Sequence, residues 1–100
     1  MNTPAPPGSA APAGGATVII VNWNGGALLG RCIRHLQAQT VQPQAVLLVD
    51  NASTDDSLAH LPDWPLLTVL RMDSNIGFAV ANNRAVALSR TEHVVLLNPD

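Results

Sequence analysis

A chain of 100 residues holds one domain at most and buries only about two-thirds of the surface its unfolded form exposes. Its net charge of −2, with five arginines, no lysine and no basic run, excludes the electrostatic footprint of a nucleic-acid binder, and its single cysteine, Cys32, excludes an internal disulfide or a cysteine metal cluster. At 47 % hydrophobic the composition is that of a collapsing globular chain.

Residues 1–16 are uncharged and dominated by Ala, Pro and Gly, and they read as a disordered, dispensable tail. They have neither the basic start nor the apolar segment of a secretory leader, which points to the cytoplasm. The period changes at Thr17. Residues 17–21 are a β-branched run that suits a strand buried on both faces. Gly25-Gly26 punctuates it, and Leu28, Leu29, Cys32, Ile33 and Leu36 then recur at helical spacing with polar residues between them, predicting an amphipathic helix that ends before Pro43. Cys32 falls among its apolar residues and reads as a core thiol. Residues 45–49 form a second apolar strand stopped by Asp50-Asn51. Ser53-Thr54-Asp55-Asp56 offers cap chemistry for a short helix over 57–60, which Pro62 and Pro65 terminate. A third strand is predicted over 66–70, followed by a turn-rich loop to Gly77. A helix over 78–90 presents Phe78, Ala81, Ala85 and Leu88, and a fourth strand follows over 94–97. The longest apolar runs, 17–21 and 94–97, fall far short of the roughly 20 residues a membrane helix needs.

The predicted order is β-α-β-α-β-α-β, an α/β class in which right-handed crossovers make a parallel sheet covered on both faces. In such sheets ligands bind outside the carboxyl ends of the strands. Those ends here carry Asn22-Trp23-Asn24, Asp50-Asn51, Asn75-Ile76-Gly77 after the third strand, and Asn98-Pro99-Asp100. Asn, Asp and Gly serve any turn; four such edges with a tryptophan among them point further, to a ligand. Amides and carboxylates match a nucleobase edge and ribose hydroxyls, and Trp23 offers a stacking face. Neither a dinucleotide-binding glycine motif nor a P-loop is present. A diphosphate would then take its counter-charge from a divalent metal on Asp100.

Four ordered strings carry a resemblance: V-I-I-V-N-W-N-G-G over 18–26, L-L-V-D-N-A-S-T-D-D-S over 47–57, N-I-G-F-A-V-A-N-N-R over 75–84 and L-L-N-P-D over 96–100. Together they resemble the family 2 glycosyltransferases of GT-A fold, and within them the bacterial rhamnosyltransferase-like branch. The resemblance covers 17–100. It implies a Rossmann-like fold and transfer of a sugar, rhamnose among the candidates, from a dTDP- or UDP-linked donor to a cell-surface glycan or polyprenyl-linked acceptor. Residue by residue, it implies that Val21 and Trp23 lie against the base and that Asp50 and Asn51 read base and ribose. Asn75, Gly77, Asn82, Asn83 and Arg84 would flank the nucleoside. Asn98-Pro99-Asp100 stands where the family has D-x-D, with Asp100 holding the Mg²⁺ or Mn²⁺ that bridges the diphosphate. Asn98 replaces the first acid of that motif, and Asn51 stands where many relatives have Asp. The family's base in inverting members lies beyond the D-x-D. The resemblance therefore implies no catalytic residue within this chain, which would be the donor-binding part of a longer enzyme, inactive alone. Peripheral association with the inner face of the plasma membrane would come through the part beyond Asp100.

Two other readings fit some of these residues. A non-catalytic module that binds a nucleotide sugar needs the same edge without the missing half. A receiver-type phosphoacceptor also keeps acids at its strand ends, but it needs a lysine, and this sequence has none. His35, His60 and His93 fall on separate faces and do not make a metal set. Arg31, Arg34 and Arg90 read as solvated, and Trp64, between Pro62 and Pro65, as a cover for the sheet edge.

Overall fold

The computed structural model describes residues 15–99; the expectations for residues 1–14 and for Asp100 lie outside the described residues. Four strands, β1 (Ala16–Asn22), β2 (Ala45–Asp50), β3 (Leu67–Arg71) and β4 (His93–Leu97), form one sheet in the order β3-β2-β1-β4. Every pairing is parallel. Helix α1 (Ala27–Gln37) connects β1 to β2, a short 3₁₀ turn over Ser57–His60 lies between β2 and β3, and helix α2 (Phe78–Leu88) connects β3 to β4.

Side-chain alternation along the strands divides the core into two layers. Val18 and Ile20 of β1 join Val46 and Leu48 of β2 against Leu29 and Ile33 of α1, and Trp64 packs into the same cluster. Ile19, Val21 and Val49 point the other way, onto Ala81 and Ala85 of α2. β1 and β2 are therefore sandwiched, which is why their sequences are apolar at consecutive positions. Cys32 packs at the margin of the first cluster, and burial raises its thiol pKa.

Several expectations shift. β1 begins at Ala16, and the N–H of His93 donates to Gly15 O at 3.1 Å, so Gly15 and Ala16 belong to the sheet and not to a loose tail. β3 runs one residue later than predicted, and α2 stops at Leu88 because Ser89 leaves the helix in extended conformation. The Ser89 hydroxyl donates to Thr17 Oγ1 at 3.2 Å, and Thr17 shares a 2.7 Å bond with Thr91, tying the α2–β4 connection to the start of β1. The buried face of α2 is Ala81, Asn82 and Ala85, while Phe78 and Leu88 are 62 % and 57 % exposed. Two alanines bring the helix close to β1 and β2, and its large residues overhang at either end. β4 also departs from expectation: Val94, Val95 and Leu96 are exposed, because α2 packs chiefly over β1 and β2. Asp56 makes no side-chain cap bond to the 3₁₀ turn; Asp55 fills that role, as described below. Among the described residues no helix is long and apolar enough to cross a membrane.

The chain passes from β1 to β2 to β3 on one side and then crosses to the far side of β1 to lay down β4. That reversal puts the switch point between β1 and β4, and ligands of open α/β sheets bind outside the carboxyl ends of the strands around such a point.

Candidate functional site

Parallel register aligns the carboxyl ends, since Asn22 pairs with Asp50 and Asp50 with Arg71. The first consequence is a polar cluster at the end of a buried strand. Asn22 is 1 % exposed, and its Nδ2 lies 2.9 Å from Asp50 Oδ1, 3.0 Å from Ser57 Oγ and 3.1 Å from Ser53 Oγ. Three acceptors around one amide nitrogen fix which end of the side chain faces them. The other end, Asn22 Oδ1, is buried with no hydrogen-bond partner, and it faces Gly25, where a Cβ would collide with it. A glycine at 25 is thus required by close approach.

Asp50 is engaged on both oxygens. Oδ1 accepts from Asn22 Nδ2 and, at 2.7 Å, from the Ser53 hydroxyl; Oδ2 accepts the Ser53 N–H at 3.1 Å. Asn51 faces the other way. Its Oδ1 accepts the Ile76 N–H and its Nδ2 donates to Gly77 O, both at 3.2 Å. An amide can do both at once, and a carboxylate cannot. Asn51 therefore latches the end of β2 to the loop that starts α2. In that loop Asn75 Oδ1 accepts the Gly77 N–H at 2.9 Å, and Gly77 has φ 85°, a left-handed conformation suited to glycine.

A second set of bonds joins the loops after β1 and β2. Asn24, left-handed at φ 52°, accepts on Oδ1 the N–H groups of Thr54 and Asp55, and its own N–H donates to Ser53 Oγ. Asp55 accepts the Gly26 N–H on Oδ2 and both the N–H and hydroxyl of Ser57 on Oδ1. The Ser57 hydroxyl, the Ser57 N–H and the Gly26 N–H hold the Asp55 carboxyl below the ordinary aspartate value. Trp23, between Asn22 and Asn24, is 58 % exposed.

The structure thus brings together Trp23, Asp50, Asn51, Asn75 and Gly77 at one edge. It places Val21 in the core against α2. Asn82 is buried and donates to Phe78 O within the helix, Asn83 is exposed, and Arg84 lies 3.9 Å from Met72 Sδ. Asn98 lines a separate groove of about 420 Å³ between α1 and the end of β4, with Leu28, Cys32 and Leu36. In the sequence Asn24 stands out only as part of a polar strand end, Ser53 and Asp55 only as cap chemistry and Ser57 only as the start of a short helix; their turn-forming composition hides the network they make. Arg71, one residue past the predicted third strand, drew no functional reading from the sequence. Arg71 lines a polar pocket of about 450 Å³ with Asp50, Ser53, Asp55 and Asp56. Among the described residues no group of three His, Cys, Asp or Glu converges. The metal ligand expected from the sequence, Asp100, lies outside the described residues.

The chain matches the model of Glycosyl transferase family 2 over residues 17–100. It is 28 % identical over 88 residues to glycosyltransferase GlyG of Streptococcus pneumoniae, an alignment covering 84 % of this chain and 29 % of that protein. To the N-acetylglucosaminyl-diphospho-decaprenol L-rhamnosyltransferase of Mycobacterium tuberculosis it is 35 % identical over 71 residues, 70 % of this chain and 23 % of the other. The fold matches that of the mannosyltransferase PcManGT from Pyrobaculum calidifontis, solved in complex with GDP-Man and Mn²⁺, with a TM-score of 0.75 and 29 % identity over 85 % of this chain and 27 % of that one. The chain accordingly spans about a quarter of the length of the relatives it matches. Because the family match runs through every strand and helix from Thr17 onward, this chain belongs to glycosyl transferase family 2 and has the Rossmann-like GT-A fold.

Proposed function

We propose that this chain carries the donor-binding part of an enzyme that transfers a sugar from a nucleoside diphosphate to a glycan or lipid-linked acceptor. The observation that carries this reading is an exposed indole, Trp23, held between two anchored asparagines at the carboxyl edge of a parallel sheet. A nucleobase stacks on such a face, and the polar pocket at the ends of β2 and β3, lined by Asp50, Asp55, Asp56 and Arg71, brings a cation to the same edge of the sheet. The likeness to PcManGT with its bound GDP-Man supports a nucleotide-sugar donor. The likeness to the mycobacterial enzyme favours rhamnose as the sugar and a polyprenyl-diphosphate-linked acceptor.

In the complete reaction the acceptor hydroxyl oxygen bonds to the anomeric carbon, the bond from that carbon to the diphosphate breaks, and the hydroxyl proton passes to a base. A divalent cation held by Asp100, when bound, would neutralise the departing diphosphate. The residues described here would serve the step before it, holding the base and ribose in a fixed orientation.

Titrating the chain with UDP, dTDP and GDP while following tryptophan fluorescence tests the reading. Saturable quenching is expected with at least one of them. Trp23→Ala should weaken binding by roughly 5- to 150-fold, since base stacking contributes about 1–3 kcal/mol. No saturable signal with any of the three overturns the proposal.

A further inference from the structure

Residues 22–26 and 50–57 are cross-linked more heavily than two neighbouring turns require. A turn closes on partners two or three residues away. Here Asn24 Oδ1 reaches the N–H groups of Thr54 at 2.8 Å and Asp55 at 3.2 Å, and Asp55 Oδ2 reaches back to the Gly26 N–H at 3.0 Å. The two residues grip each other's loops, and Trp23, 58 % exposed, directly precedes the gripped segment.

The chemistry at both positions is restrictive. Position 24 must adopt a left-handed backbone and supply an acceptor for two successive N–H groups, which Asn does at low cost. Position 55 must accept along both oxygens, Gly26 on one and Ser57 on the other. An amide there would turn a donor toward a donor.

We propose that Asn24 and Asp55 are positioning residues for donor recognition, holding Trp23 in the orientation its indole needs to stack on the base while touching no part of the donor themselves. The inference rests on the nucleotide-sugar reading of this edge. With the clasp open, the 23–26 loop samples many conformations, and a nucleotide binds only the fraction in which Trp23 is correctly placed.

The test uses the chain with 5-fluorotryptophan at both tryptophans, the Trp23 resonance being assigned by Trp23→Phe. Asn24→Gly keeps the left-handed backbone and removes the acceptor; Asn24→Asp restores it; Asp55→Asn opens the other arm. Asn24→Gly and Asp55→Asn are each expected to shift and broaden the Trp23 resonance, to leave the core Trp64 resonance in place, and to weaken binding of the tightest nucleoside diphosphate about tenfold, the scale of one hydrogen bond to a charged group. Asn24→Asp should return both readouts to within about twofold of wild type. An unmoved Trp23 resonance in both variants, or a moved resonance with unchanged affinity, overturns the proposal. If Asn24→Gly also displaces Trp64, Ser57→Ala, which takes one hydroxyl from Asp55, is judged by the same two readouts. A wild-type Trp23 resonance that ignores every nucleotide defeats the donor-binding reading instead, and the nucleotide-free spectra of the variants still decide whether the clasp holds Trp23.

Discussion

Gly25 sets a limit that its own backbone does not. A methyl group there would be driven into Asn22 Oδ1, and that oxygen cannot retreat while the buried amide is held at its other end by Asp50, Ser53 and Ser57. Gly25→Ala should therefore lower stability by about 1–3 kcal/mol, measured as a lower urea midpoint at unchanged slope; an unchanged midpoint would mean that the amide turns freely. Asn51→Asp carries a similar expected cost, about 1–3 kcal/mol, since it sets a carboxylate oxygen against Gly77 O in place of a donor. Asp55 makes the acid limb of stability steeper. Its folded pKa lies below the unfolded one, so its contribution is complete above the unfolded value, about 3.9, and is lost as pH falls through the lowered folded value. Asp55→Asn should flatten that limb, and a variant that loses stability with acid as steeply as wild type would rule the assignment out. At this scale the sequence marked positions better than roles. Asp50 and Asn51 stand out at a strand end, and Ser53 is a local partner for Asp50, but their other partners, Asn22, Ile76 and Gly77, come from positions 25 to 28 residues away and leave no local mark. Asp50→Asn is consequently expected to cost stability as well as nucleotide affinity.

Helices and strands were legible where burial is complete. β1 and β2 carry unbroken apolar runs because both of their faces are covered, and α1 shows its helical period because one face meets the sheet. α2 was harder, since Phe78 and Leu88 share the spacing of Ala81 and Ala85 yet lie beyond the sheet that the alanines touch. Spacing reports the face of a helix and not the extent of its partner. The fully buried Ala85 tests this geometry. Ala85→Leu should force α2 away from Ile19, Val21 and Val49 and cost about 1–3 kcal/mol, whereas Leu88→Ala, on the overhang, should change the unfolding free energy from urea titration by less than about 0.5 kcal/mol. Equal effects would mean that the helix sits elsewhere on the sheet.

At the scale of the whole molecule the two edges of the sheet differ. β4 has the composition of an interior strand, His-Val-Val-Leu-Leu, but among the described residues it pairs on one side only, with β1, and shows Val95 and Leu96 at 47 % and 55 % exposure. A strand with unpaired N–H and C=O groups and exposed apolar residues on both faces is a template for pairing with another chain. In solution the 100-residue chain is therefore expected to self-associate as concentration rises, through β4. Val95 sits opposite Val18 in the register, so a lysine there would lie at the margin of the α1 layer and carry its charge out to solvent along the open edge. Sedimentation velocity over a concentration series should show wild type moving to larger species while Val95→Lys stays monomeric, with thermal midpoints within a few degrees of each other. A monomeric wild type throughout the series, or association that Val95→Lys leaves untouched, would mean that the exposed edge is not adhesive and that its apolar residues serve some other contact.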